Sequence, residues 1–169
     1  MFQTPEYQPP KPLDKSFDRE AFDCGADALN EYLKKFALQN QKKDAARTYV
    51  VADPDNRILG YYTLVFGSVA AETVPDEIAS GLGRYPIPAL LLARLAVHKS
   101  EKGKGLGGLL MRDVLLRAIQ ASDIAGLRAV MVHAKDESAK KFYQKIGFVA
   151  APNDEFHLFL KISDIKASL

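Results

Sequence analysis

Residues 89–111 read ALLLARLAVHKSEKGKGLGGLLM. An apolar run of strand length, Ala89 to Val97, enters a loop with glycines at 103, 105, 107 and 108, and Leu106, Leu109, Leu110 and Val114 then recur at helical spacing. Strand, glycine-rich turn and helix in that order leave the N–H groups of the first helical turn without backbone partners. They stand at the positive end of the helix dipole, with no side chains to keep a phosphate away. Two phosphate loops can be tested residue by residue. A Walker loop needs a lysine where Leu109 stands, so nucleotide hydrolysis is not expected. The dinucleotide fingerprint is matched literally by Gly103, Gly105 and Gly108, but Asp123, the acid at the right distance, falls before the next strand instead of after it.

Working outward, Leu127 to His133 predicts another strand, Glu137 to Lys145 a short helix closed by Gly147, and Phe156 to Ile162 a last strand. Upstream, Leu29, Tyr32, Leu33, Phe36 and Ala37 mark the apolar face of one bent helix or two short ones reaching about residue 43. Thr48 to Ala52 and Ile58 to Val69 form a hairpin around the turn Asp53 to Arg57, with a bulge expected at Gly60. Residues 72–88 are looser, and the prolines of Arg84-Tyr85-Pro86-Ile87-Pro88 forbid regular helix. The sum is a mixed α/β domain, antiparallel early, with one strand–helix–strand unit in its middle.

The chain of 169 residues, 47% hydrophobic and 26% charged, has the composition of one globular domain, with residues 1–12 as an extended arm. The opening MFQTPEYQPPKPLDKS carries prolines and charges where a secretory signal needs an apolar run. No stretch reaches the ~18 apolar residues of a membrane span, so the expectation is a cytoplasmic protein with no membrane contact. Cys24 is the only cysteine; it excludes an internal disulfide and a cysteine metal cluster, and is assigned no chemistry. No metal is expected. The net charge of +2 hides an uneven distribution, because residues 99–145 hold ten Lys/Arg against five Asp/Glu. A second basic cluster, Lys34, Lys35, Lys42, Lys43 and Arg47, has only Asp44 within it. Two such clusters flanking one site suit a polyanionic partner.

The loop and its leading strand resemble the acetyl-CoA site of the GNAT-type N-acetyltransferases, whose signature is Gln/Arg-x-x-Gly-x-Gly/Ala. Lys102, Gly105 and Gly107 stand at its marked positions, lysine replacing the usual Gln or Arg. Downstream, Ala139-Lys140-Lys141-Phe142-Tyr143-Gln144-Lys145-Ile146-Gly147-Phe148 resembles the family's second signature, A-x-x-F-Y-x-x-x-G-F. The resemblance covers about Thr48 to Ile162 and implies the GNAT fold, a mixed, mostly antiparallel sheet flanked by helices with a splayed strand pair. The segments FDCGADALNEYLKKFALQNQKKDAARTYVV, GYYTLVFGSV and GRYPIPALLLARLAV further resemble the GNAT toxins of bacterial toxin–antitoxin pairs, which acetylate aminoacyl-tRNA. In that subfamily the strand commonly reads L-G-R-L-A-V; Ala93 takes the glycine's place.

The resemblance implies a role for each candidate residue. Backbone groups of Leu95, Ala96 and Val97 would hold the pantetheine arm and polarise the thioester carbonyl, and Lys102, Gly103, Lys104, Gly105, Leu106, Gly107 and Gly108 would cradle the pyrophosphate. Tyr143 would be the general acid for the departing thiolate, facing the site while Phe142 enters the core. Arg84 and Tyr85, in a rigid loop with Pro86, would line the acceptor channel. Arg94, in an apolar run, implies an ion pair or a ligand. Lys34, Lys35, Lys42 and Lys43, with the basic residues of 135–145, would take tRNA phosphates. By residue type His98, His133 and His157 are candidate bases, and a structural role is expected of each. Acetyl-CoA as co-substrate, a homodimer and a ribbon-helix-helix antitoxin complete the expectation. Two alternatives stay open: an acetyltransferase for a small amine or a protein N-terminus, and a CoA-binding module without catalysis.

Overall fold

The computed structural model describes residues 6–169, so the first five residues of the expected arm lie outside it. Among the described residues the strands are β1 (Lys11–Pro12), β2 (Arg47–Ala52), β3 (Ile58–Val69), β4 (Ile87–Val97), β5 (Ala129–His133), β6 (Val149–Ala151) and β7 (Asp154–Lys161). They form one sheet in the order β1-β2-β3-β4-β5-β7-β6. The helices are α1 (Asp27–Glu31), α2 (Ala37–Lys42), α3 (Asp76–Ala79), α4 (Leu106–Ile124), α5 (Glu137–Ile146) and α6 (Ile162–Ser168). The β2–β3 and β5–β7 pairs are antiparallel, and β4–β5, joined through α4, is parallel. The chain packs as two compact units, residues up to Val65 with Ala93–Val114, and Phe66–Leu92 with Leu115–Leu169.

The first unit is built on the hairpin. Asp53 closes its turn by accepting the N–H groups of Asp55 and Arg57, and Asn56 takes the left-handed conformation a tight turn uses. Opposite Val51/Ala52 the register shifts by one residue, the bulge expected beside Gly60. Gly60 has its own cause. A Cβ there would meet Leu106 Cδ2 at 3.0 Å, Leu110 Cδ1 at 3.1 Å and the Ala96 carbonyl at 3.3 Å, so glycine lets α4 settle on the strand without its leucines giving way. The sheet's other face buries Leu13, Phe22, Leu33, Ala37, Val50, Ile58 and Tyr61. The arm contributes more than an extended lead-in, because Lys11–Pro12 pair with Tyr49–Val50 and Leu13 enters the core. Between α1 and α2 the helix widens into a π-helical turn, Tyr32–Phe36, in which the Ala37 N–H reaches the Tyr32 carbonyl.

In the second unit, Val74, Ile78, Ile87, Ala89, Ala129, Met131 and Phe159 form the core. Arg128 holds the end of α3 by donating to the carbonyls of Ile78 at 2.9 Å and Ser80 at 3.0 Å. The short strand β6 and the C-terminal α6 were not foreseen from sequence. β4 begins at Ile87 instead of Ala89, taking Pro88 into the strand.

Candidate functional site

The parallel ladder joins β4 and β5 over Ala89–Leu92, and β4 runs on for five residues, Ala93–Val97, beyond it. Leu95 and Val97 are half-buried there and Ala96 is buried. At the strand's end His98 caps a single 3-10 turn, its Nδ1 accepting the Ser100 N–H at 3.0 Å, and its ring packs edge-on against Phe22. His98 is therefore structural.

The chain then turns through Gly103 and Gly105, both at positive φ (+79° and +84°), a conformation that favours glycine. Nothing lies within 4 Å of where a Cβ would stand at Gly103, Gly105 or Gly108. Lys102 to Gly105 are exposed, and α4 starts at Leu106, which is buried. The start of this 19-residue helix, whose first N–H groups lack intrahelical partners and stand at its positive end, thus has open space beside its glycines. A pyrophosphate fits this cradle because its oxygens require converging N–H donors and room to approach them.

The loop's side chains do different work. Lys102 Nζ donates to the Cys24 carbonyl at 2.9 Å, and Lys99 Nζ lies 2.8 Å from Asp23 Oδ2. Asp23 Oδ1 accepts the Gly25 N–H and the Asn30 side-chain amide, and Asn30 Oδ1 accepts the Cys24 N–H. The Lys99 ammonium and these two donors hold Asp23 well below the usual carboxylate range. On the other side Glu101 accepts from Tyr7 Oη at 3.0 Å and from Ser100 Oγ at 2.8 Å, and Lys104 Nζ is 3.6 Å away. Burial would raise the Glu101 pKa, but the hydrogen bonds from Ser100 and Tyr7 and the charge of Lys104 win and lower it. Burial and the Glu101 bond push the Tyr7 phenol up to about 12. Asp23-Cys24-Gly25 is the one signal of these supports in the sequence, an Asx-turn.

Among the described residues Arg94 makes no ion pair. Its guanidinium carbon lies 3.6 Å from the centroid of the Tyr32 ring, so a cation–π contact accounts for its place in an apolar strand. Lys35 pairs with Glu31 at 3.2 Å and Arg47 with Asp44 at 2.7 Å, while Lys34, Lys42 and Lys43 make no ion pair among the described residues. Cys24 is buried and free, as expected.

In the second unit, Tyr143 lies on α5, which Asp136 caps by accepting the Ala139 N–H and Gly147 closes at φ +122°. The burial expected of the Phe-Tyr pair is reversed: Tyr143 is 7% exposed and Phe142 is only half-buried. The Tyr143 ring packs against Phe148 at 5.5 Å and Phe142 at 5.2 Å, and burial pushes its phenol up to about 12. A phenol so placed keeps its proton at neutral pH, as a general acid must. Arg84 and Tyr85 project into solvent, Tyr85 82% exposed. His133 and His157 face each other across β5 and β7 with ring centroids 3.9 Å apart. Burial, then the neighbouring His133, lowers the His157 pKa, while Asp154 opposes the shift. Among the described residues no helix is long and apolar enough to cross a membrane.

Residues 13–158 match the family of acetyltransferase (GNAT) domains. A protein of Mycobacterium tuberculosis named "tRNA-acetylating toxin" is 38% identical over 161 residues, which are 95% of this chain and 96% of that one. The solved structure of AtaT complexed with acetyl-methionyl-tRNAfMet superimposes with a TM-score of 0.89 at 27% identity, covering 96% of this chain and 99% of that one. A mutant AtaT toxin bound to the C-terminus of the antitoxin AtaR and acetyl-CoA gives 0.80 at 27% identity, covering 94% and 96%.

Proposed function

This chain belongs to the GNAT acetyltransferase family and is an N-acetyltransferase using acetyl-CoA, and from that premise we propose that its acceptor is the α-amino group of an aminoacyl-tRNA. Acetylation of that amine removes the nucleophile of peptide-bond formation, so the protein acts as a toxin that stops translation. The observation that carries the acceptor is the 38% identity, over nearly the whole of both chains, with a tRNA-acetylating toxin. The basic clusters of Lys34 to Arg47 and Lys135 to Lys145 suit the same acceptor, since they offer cations to a phosphate backbone without reading sequence.

The chain's residues divide the work. The backbone of Lys102 to Gly108 holds the pyrophosphate, and that of Leu95 to Val97 holds the pantetheine arm and draws charge from the thioester carbonyl. An α-amino group titrates near 8, more than two units below a lysine side chain, so a useful fraction is already neutral and no strong base is required. The amine lone pair forms the new C–N bond as the C–S bond breaks. Tyr143 gives its phenolic proton to the departing thiolate, and the amine's surplus proton leaves through water. Arg84 and Tyr85 border the acceptor channel. We further read the chain as one catalytic domain, a homodimer in the cytoplasm, restrained by a ribbon-helix-helix antitoxin.

Incubation with radiolabelled acetyl-CoA and either charged or deacylated tRNA tests the acceptor. Label in charged tRNA alone is expected. Label in neither, with acetylation of a small amine or a protein N-terminus instead, overturns it, and CoA binding without any transfer overturns catalysis as well.

A further inference from the structure

The apolar stripe of the first helical segment, read at ordinary helical spacing, places Phe36 beside Tyr32, Leu33 and Ala37 on the buried face. The structure separates them. Tyr32, Leu33 and Ala37 are buried, while Phe36 is 46% exposed. The cause is the π-helical turn Tyr32–Phe36, whose extra residue per turn rotates Phe36 out of the stripe; its φ of −119° marks the widened backbone. A helix that gives up regular hydrogen bonding to bring a phenyl ring into water loses on both counts, and π-turns of this kind gather at functional sites.

The ring's surroundings say what it meets. Phe36 leans on Tyr32, centroids 6.5 Å apart and planes inclined by 27°, and Tyr32 is fixed in turn by Arg94 at 3.6 Å, so the outer ring stands on a rigid aromatic base. Lys34 and Lys35 precede it in sequence, and Lys42 and Lys43 lie at the end of the same helical segment. Three of these four lysines make no ion pair among the described residues. An exposed aromatic face backed by a second ring and bordered by uncompensated cations is the arrangement that stacks an unpaired base and neutralises its phosphates.

We propose that Phe36 is the stacking platform for an unpaired nucleobase of the RNA substrate, with Lys34, Lys35, Lys42 and Lys43 on the adjoining phosphates. The proposal rests on the aminoacyl-tRNA reading above. It commits to RNA over an apolar peptide because the segment that carries the ring, residues 34–43, holds four lysines and no acidic residue, a charge that suits a phosphate backbone.

The test uses the full-length protein and a short unpaired RNA carrying 2-aminopurine at its 3′-terminal nucleotide. Wild-type protein should quench the fluorophore. Phe36→Ala and Phe36→Leu, the second keeping apolar bulk but no ring, should abolish quenching and weaken RNA binding about 5- to 150-fold, and Phe36→Trp should restore both. With charged tRNA the Ala and Leu variants should raise KM while kcat and the KM for acetyl-CoA stay unchanged. Replacing Lys42 or Lys43 with Ala should lower the salt dependence of single-strand binding by about 0.7 per lysine. Unchanged quenching and affinity in the Leu variant overturn the proposal. So does a raised KM for acetyl-CoA, which makes the CoA adenine the occupant, or an altered sedimentation mass with unaltered RNA affinity, which makes the ring a protein contact. If the wild type acetylates no charged tRNA, the functional reading fails, while ring-dependent quenching of the oligonucleotide still upholds the platform.

Discussion

The glycine loop and the tyrosine helix assign chemistry to opposite parts of the chain. In the proposed mechanism the backbone around Lys102 to Gly108 is the working surface, left-handed at two glycines, while the side chains of Lys99 and Lys102 are tied to Asp23 and to the Cys24 carbonyl. On α5 the backbone is capped at both ends by Asp136 and Gly147, and the proposed mechanism gives the work to one buried side chain, Tyr143. The difference follows from the two ligands. A pyrophosphate is met by several N–H dipoles at once, which a helix start supplies without any side chain, whereas a departing thiolate needs one proton from one group whose pKa burial can set. A motif written in glycines therefore tolerates exchange of its polar letters, and a motif written in a tyrosine does not.

The sharpest way to break this contrast is Tyr143→Phe. It should lower kcat by about 10²- to 10⁴-fold and leave the affinity for acetyl-CoA, measured by calorimetry, unchanged. An unchanged rate removes the general acid from α5. Next in size is Gly105→Ala. Holding an L-residue at φ +84° costs roughly 1–2 kcal/mol, so the loop should relax and acetyl-CoA binding weaken about tenfold with kcat near wild type. A Kd equal to wild type would show that the left-handed turn is not what shapes the cradle.

Lys102→Met probes scaffolding alone. Loss of the charge-assisted bond to the Cys24 carbonyl, exposed to solvent on one side, should cost about 1 kcal/mol and lower Tm by about 2–4 °C, while Lys102→Arg keeps most of both. A large fall in acetyl-CoA affinity without a change in Tm would instead place the ammonium on the ligand. The smallest effect is in pH. Burial raises the Tyr143 phenol from 10 to about 12, so the folded state favours the neutral form. The stability this contributes is complete below pH 10 and is lost as pH rises from 10 through about 12. Alkaline unfolding followed by circular dichroism should lose that component in Tyr143→Phe, and identical alkaline profiles would contradict the burial of the phenol.

Much of this was legible in the amino-acid order because it is local. Glycines that require positive φ, Asp136 and Gly147 at the ends of α5, and the Asp53 turn are settled by residues a few positions apart, so their spacing carries the information. The hairpin and the parallel strand–helix–strand unit followed from alternation, length and connection. Elements held by distant partners were misread or missed. The Phe-Tyr order on α5 cannot say which ring is buried, because the sheet behind the helix decides. The strand made by Lys11–Pro12 exists only because β2 offers an edge. Phe36 fitted a helical stripe that the π-turn then broke.

By itself, then, the sequence determined the fold class, the glycine-rich start of α4 and the place of Tyr143 on α5, since each is fixed by short-range backbone preference or by a motif of residue types. Only the tertiary structure decided what the charged and aromatic side chains do. Lys102 went to a carbonyl contributed by residue 24, Arg94 to the Tyr32 ring and Phe36 to the surface. Lys102 and Arg94 take the partners that packing brings within reach, and those partners lie tens of residues away in the chain.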